Sequence, residues 1–250
     1  MKISVCGKGG TGKSTIVTLL AHELSMRGQE VLIIDADESN YGLHKHLGME
    51  MPEDFMEYVG GKLAFFNSSS KGEASRKAFM DQYFSGLWHL SDIPQAYYTE
   101  KDSIKLMCSG KIRAAGEGCA CPFHAVLKNF VSHLELSDRQ VAILDMEAGI
   151  EHFGRGIDEE MDLIFVLCDP SYESVQMAQR IATLSQKPVF YILNKMDGDT
   201  EAIVRDRIEK KERIACTIPA NKDILKAGLS GSAITLTIPQ ISKIADIVTA

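Results

Sequence analysis

The stretch Gly7-Lys8-Gly9-Gly10-Thr11-Gly12-Lys13-Ser14 constrains this chain more than any other. It follows a short apolar run, Ile3 to Cys6, and opens a helical apolar pattern from Thr15 onward. A loop of this kind between a strand and a helix satisfies G-x-x-x-x-G-K-[ST], the phosphate-binding P-loop. Its glycines let successive backbone N–H groups curl round an anion with no Cβ in the way. The following helix adds the positive end of its dipole and its unpaired N–H groups. Gly9, Gly10, Thr11, Gly12 and Thr15 are therefore expected around a nucleotide's phosphates. Lys13 is expected to bridge the β and γ phosphates, and the Ser14 hydroxyl to ligate Mg²⁺.

The rest of the chain repeats the alternation of short β-rich runs with helical patterns, which predicts an α/β fold. Its sheet should be mostly parallel, with helices on both faces. Val31 to Ile34 ends in Asp35-Ala36-Asp37, and Val141 to Leu144 ends in Asp145. Ligands of open α/β sheets bind at the carboxyl ends of the strands, so these carboxylates belong beside the phosphates. Asp145 matches a Walker B carboxylate of the Mg²⁺ shell, and the Gly149 N–H is placed to sense a γ-phosphate. Ile104 to Cys108, Leu163 to Cys168 and Val189 to Leu193 are further strands, the last two separated by a helix starting near Ser171. A terminal helix from Pro239 carries the apolar stripe Ile241, Ile244, Ile247 and Val248. Residues 1–250 are read as one domain, with a weakly periodic variable insertion at about 50–103.

Composition narrows the surroundings. No run of 18 apolar residues exists and no secretory h-region precedes Gly7, which predicts a cytoplasmic chain without a membrane partner. A net charge of -7 argues against a broad nucleic-acid face. The six cysteines (Cys6, Cys108, Cys119, Cys121, Cys168, Cys216) should be reduced there, so a clustered pair favours metal or redox chemistry over a disulfide.

Lys8 is a second lysine in a loop whose phosphates Lys13 already serves. The Lys-Gly-Gly-x-Gly-Lys-Ser pattern resembles the deviant P-loop of the dimerising ATPases, the MinD/NifH-like (SIMIBI) branch of the P-loop NTPases. The resemblance implies a homodimer in which Lys8 crosses to the partner's ATP. It also implies that Asp37, like the switch I aspartate of those families, positions the attacking water. The local alternative for Asp37 is an N-cap of the next segment, and Asn40 is read as facing the partner. Asn194-Lys195-Met196-Asp197 sits where P-loop folds recognise the base, with the Asn194 amide on the base edge and the Lys195 stem on the ring. The same four residues fit a guanine signature, whereas the family resemblance favours ATP, and Pro219 resembles its adenine-flanking loop.

Cys119-Ala120-Cys121 lies among Gly116, Gly118 and Pro122, a setting irregular enough to turn two i, i+2 sulfurs toward one ion. Thiolates suit Zn²⁺, Ni²⁺ or Cu(I). A closed tetrahedral site needs four ligands, and one pair supplies two. His124 is either a further nitrogen ligand or an ordinary helix-start residue; His44 and His46, two apart, do not share a helix face. The P-loop, the segment Gly116–Pro122 and the run from Asp145 to Gly156 together resemble the CooC-type nickel-insertion ATPases. That resemblance implies an ATP- and Mg²⁺-dependent metallochaperone. Its Cys119 and Cys121 would pair across a dimer around one Ni²⁺ or Zn²⁺, and its client would be carbon monoxide dehydrogenase or the related acetyl-CoA synthase. Two other classes are an iron–sulfur electron carrier like the nitrogenase iron protein and a Min/Par-like partition ATPase.

Overall fold

The computed structural model describes residues 1–114, 119–146 and 156–250. The strands of the first half are β1 (Lys2–Gly7), β2 (Glu30–Ala36), β3 (Tyr98–Lys101) and β4 (Ile104–Cys108). Those of the second half are β5 (Gln140–Met146), β6 (Leu163–Cys168), β7 (Val189–Met196) and β8 (Ile214–Pro219). They form one eight-stranded sheet in the order β3-β4-β2-β5-β1-β6-β7-β8. Every pairing is parallel except β3 with β4. The α/β class with a mostly parallel sheet, expected from the alternating pattern, is the fold observed.

Two strands escaped the sequence reading. β3 is a four-residue edge strand, joined to β4 by Asp102 (φ 51) and Ser103 (φ 62). Two consecutive positive-φ residues make a tight hairpin that is normally signalled by Asn-Gly, and neither residue here is glycine. β8 is the opposite edge, and the Ile218-Pro219 read as a loop forms its end.

The helices are α1 (Lys13–Met26), α2 (Leu43–Leu47), α3 (Gly61–Ser69), α4 (Glu73–Asp81) and α5 (Cys121–His133). They continue with α6 (Tyr172–Leu184), α7 (Gly198–Arg207), α8 (Lys222–Ser230) and α9 (Pro239–Val248). Strand residues alternate between two cores: Val31 and Ile33 join the layer of α1, α2 and α9, and Leu32 and Ile34 join the layer of α5 and α6. All four are 0% exposed, as a sheet covered on both faces requires. Helix α1 buries Ile16, Val17, Leu20 and Leu24, each worth roughly 1.5–3 kcal/mol over an exposed position. It stops at Gly28, whose φ of 81 lets Gly28 N donate to Ser25 O (2.9 Å) and Gln29 N to Leu24 O (3.0 Å). Those paired bonds are the Schellman closure.

The weakly periodic stretch before β3 owes its order to aromatic packing rather than to long elements. Phe55 lies 4.9 Å from Phe130 of α5 and 5.4 Å from Tyr58, and Trp88 packs edge-on to Phe130 at 5.5 Å. Trp88 also exchanges backbone bonds with His133 O (2.8 Å) and Glu135 N (2.7 Å). The segment is thereby fixed against α5, the helix that starts at Cys121.

Candidate functional site

The phosphate loop is shaped by what its glycines avoid. Gly7 has φ 138, and a Cβ there would lie 2.6 Å from Leu167 O on the neighbouring strand; at Gly12 (φ 100) it would lie 2.6 Å from Asn194 Nδ2. The loop is tied from within by Thr11 Oγ1 donating to Lys8 O (2.8 Å). From β7, Asn194 Nδ2 donates to Thr11 O (2.7 Å) and Lys195 Nζ to Gly10 O (2.6 Å). Lys13 is 7% exposed, its Nζ 3.5 Å from Lys8 O. Helix α1 begins at the loop with no side-chain cap and no acidic residue in its first turn. Side chains of Ser171, Asp197 and Asn221 cap α6, α7 and α8. Helix α1 shares the lack of a side-chain cap with several other helices, but it opens on the glycine cradle, so its orphan N–H groups are available to an anion there.

Beneath the cradle lies an acidic floor. β2 and β5 are neighbours in a register that pairs Asp35 with Asp145. Asp145 is 0% exposed, and neither carboxylate oxygen has a hydrogen-bond partner among the described residues. Burial first, then the Asp35 charge, push Asp145 up to about 7 against the pull of Ser14 and Lys13. Burial likewise pushes Asp35 up to about 6, opposed by Lys111. A buried carboxylate with both oxygens orphaned, beside the Ser14 hydroxyl and an anion cradle, is the donor set of a hard divalent cation such as Mg²⁺. Ser14 Oγ accepts from Asn40 Nδ2 at 2.7 Å, which holds the Asn40 amide at the phosphate end of the site. Asp37 is half-buried at the rim, its Oδ1 accepting from Ser39 N (3.1 Å) and Ser39 Oγ (2.6 Å). It does not cap the next helix, since the N-cap of α2 is Gly42.

The cradle and the Asp37–Asn40 rim line one cleft of about 820 Å³, and Asp35 and Asp145 are not among its lining residues. Gly9, Gly10, Gly12, Lys13, Ser14, Thr15, Asp37 and Asn40 occupy its phosphate end, and Asn194, Lys195 and Pro219 face the other. Sequence reasoning missed His46 and the α8 residues Ile224, Leu225 and Leu229 at that second end. The available signal was the spacing of Leu225 and Leu229, four apart and so on one helix face. Asp197, which a guanine signature would aim at the base, instead caps α7, accepting from Thr200 N (2.9 Å) and Thr200 Oγ1 (2.7 Å).

Lys8 is half-exposed, 3.5 Å from Glu173 Oε2 at the start of α6. Cys119 and Cys121 are exposed, Cys121 opening α5 ahead of Pro122. His124, one turn further on, is buried at 3% exposure. Among the described residues no three His, Cys, Asp or Glu side chains gather as a metal cluster. Gly116, Gly118, Glu147 and Gly149 lie outside the described residues. No described helix is long and apolar enough to cross a membrane.

A strand, an uncapped helix and a glycine cradle above two acidic strand ends define a P-loop nucleotide-binding protein. The chain belongs to the CobQ/CobB/MinD/ParA nucleotide binding domain family, whose model matches residues 3–234. It is 43% identical over 252 residues to an uncharacterized ATP-binding protein of Methanocaldococcus jannaschii, covering 100% of each chain. It is 33% identical over 236 residues to the carbon monoxide dehydrogenase accessory protein CooC of Rhodospirillum rubrum, covering 92% of this chain and 88% of that one. Among solved structures, the septum site-determining protein MinD of Pyrococcus horikoshii in complex with Mg-ADP superposes with a TM-score of 0.67. The identity there is 15%, over 99% of this chain and 95% of that one, so the likeness is one of fold.

Proposed function

We propose that the chain is a Mg²⁺-dependent ATPase that dimerises and serves as a metallochaperone, assisting nickel insertion into carbon monoxide dehydrogenase or the related acetyl-CoA synthase. The observation that carries this reading is the exposed Cys119-Ala120-Cys121 pair at the start of α5. It occurs in a chain 33% identical, over 92% of its length, to a carbon monoxide dehydrogenase accessory protein. Two thiolates leave a tetrahedral ion half-coordinated, and the same pair in a second copy completes it. The ion there, Ni²⁺ or Zn²⁺, is cargo.

In the nucleotide cleft the α1 N–H groups and Lys13 bind the β and γ phosphates. Ser14 and Asp145 would hold Mg²⁺, which supplies charge neutralisation at the transferring phosphoryl group. Asp37 orients the attacking water, Gly149 meets the γ-phosphate, and Lys8 leaves Glu173 to reach the partner's nucleotide. An exposed ion pair of this kind costs little to break. Asn194, Lys195 and Pro219 border the adenine. Hydrolysis to ADP and phosphate removes the γ-phosphate that both subunits grip, so the dimer and its four-thiolate site loosen together.

Equilibrium dialysis against Zn²⁺ or Ni²⁺ tests the reading. One ion per two chains is expected, and it should disappear in Cys119→Ser/Cys121→Ser. Unchanged metal binding by that double variant would remove the cysteine pair from the account.

A further inference from the structure

Lys111 has no role in the site as described so far, yet its side chain is 0% exposed. Its ammonium donates to Asp35 Oδ2 (2.7 Å), Asp37 O (2.6 Å) and Asn40 O (2.6 Å). An ammonium has three protons to place, and here each has an acceptor. Burial works against the charge, but Asp35, helped by Cys108 and Asp37, outweighs it and holds Lys111 above the ordinary lysine range. Two of the three acceptors are carbonyls of the loop that carries Asp37 and Asn40. Lys111 therefore sets where the Asp37 carboxylate sits.

The neighbours of Lys111 extend the attachment into a strap. Ser109 N donates to Asp35 O (3.0 Å) and Ile112 N to Glu38 O (3.2 Å), and Tyr41 Oη donates to Ile112 O (2.6 Å). Residues 109–112 are thus laced along residues 35–41. The strap also touches the cysteine helix: a Cβ on Gly110 would lie 2.4 Å from the Phe123 ring. Phe123 stands two residues after Cys121 in the first turn of α5. Close-packed contacts of this sort transmit displacement rather than absorb it.

We propose that Lys111 is a positioning residue for ATP hydrolysis, and that its strap couples the Asp37 loop to the cysteine helix so that bound nucleotide changes the metal affinity of Cys119 and Cys121. The coupling rests on the metallochaperone reading above. Mg²⁺ and nucleotide that take up the Ser14 hydroxyl displace Asn40 from it, and the shift of the segment that carries Asp37 and Asn40 pulls on the two carbonyls bonded to Lys111. Gly110 moves with Lys111, and Phe123 with Gly110. A contiguous path becomes coupling only when both ends are measured, and linkage requires the effect to be reciprocal.

The test is the Zn²⁺ dissociation constant with and without Mg²⁺ and a non-hydrolysable ATP analogue, taken as a ratio. A wild-type ratio of about 10 or more is expected, within the ordinary range of coupling between sites. Lys111→Met should bring the ratio to about 1 and lower kcat on the order of 100-fold, with KM for ATP nearly unchanged, as misplacement of a positioned group does. Because Lys111→Met strands the Asp35 charge in a buried site, Tyr41→Phe serves as the second variant. It removes only the hydroxyl bond to the strap, so the ratio should fall roughly threefold with the melting temperature kept, a share typical of residues along such a path. A merely structural Lys111 would depress melting and both affinities without moving the ratio. A wild-type ratio of 1 would overturn the coupling, whereas Zn²⁺ binding that persists unchanged in Cys119→Ser/Cys121→Ser would overturn the metallochaperone reading. A wild-type ratio well above 1 that survives in the folded variants would overturn the role of Lys111 alone. If Lys111→Met does not fold, an unchanged ratio in Tyr41→Phe is sufficient to do so.

Discussion

The two sides of the nucleotide cleft are built on opposite principles. The phosphate loop is a run of consecutive residues whose donors come from backbone and from one lysine; it is tied within itself by Thr11 Oγ1 to Lys8 O and from β7 by Asn194 and Lys195. The acidic floor gathers Asp35, Asp145 and Lys111 from β2, β5 and the segment that follows β4, residues far apart in the chain. The loop gathers backbone carbonyls and N–H groups and holds no carboxylate. The floor crowds carboxylates into a buried space, where burial pushes Asp35 up to about 6 and Asp145 up to about 7. One side is ready for an anion, and the other is uncomfortable until a cation arrives.

The sharpest way to break that contrast is at Lys13. Lys13→Met should reduce ATP turnover about 1000-fold, the scale of losing an electrostatic contact to the reacting group. It should change the melting temperature far less than it changes turnover, because the ammonium's hydrogen bond to Lys8 O is long at 3.5 Å and its charge offsets only part of the cost of burying Asp145. Steady-state phosphate release and a thermal melt check both halves. A large drop in melting temperature would make the loop as strained as the floor.

Asp145→Asn probes the other side. Asp145 ionises more reluctantly folded than unfolded, since burial raises it from 3.8 to about 7. Its contribution is therefore fully present below pH 4 and is lost as pH climbs to about 7. The nucleotide-free variant should melt several degrees above wild type at pH 8, and the gap should shrink toward pH 5. The shift caps the effect at about 4 kcal/mol, and about 2 °C per kcal/mol is usual at this size. Stabilisation by Mg²⁺ and nucleotide should weaken in the same variant. A gap that is constant across pH would mean the carboxylate is not the strained group.

The smallest effect is expected outside both regions. Asp197→Ala should cost about 1 kcal/mol through loss of the α7 cap and leave the preference between ATP and GTP unchanged. A switch in nucleotide preference would return Asp197 to the base.

The contrast also explains what the sequence made legible. A motif of eight consecutive residues is local, so the cradle, Lys13 and Ser14 could be located before any fold was known. Asp35, Asp37 and Asp145 were visible as carboxylates closing apolar strands, because strand ends in such sheets face ligands. Lys111 was not visible, because its meaning depends on β4 lying beside β2, and strand order is written nowhere in the local pattern. Asn194 and Lys195 were assigned to the base from a four-residue motif. The packing gives both a bond to the phosphate loop, at Thr11 O and Gly10 O. The aromatic cluster of Phe55, Tyr58, Trp88 and Phe130 was hidden because its members come from segments too short to show periodicity.

The central claim is that two copies complete what one chain supplies by halves, and sedimentation with Mg²⁺, a non-hydrolysable ATP analogue and Zn²⁺ tests it most directly. The account predicts a species of twice the 27.5 kDa chain mass that carries one zinc, and that reverts to single chains in Cys119→Ser/Cys121→Ser lacking nucleotide. A fully loaded sample that still sediments at the mass of one chain would contradict it.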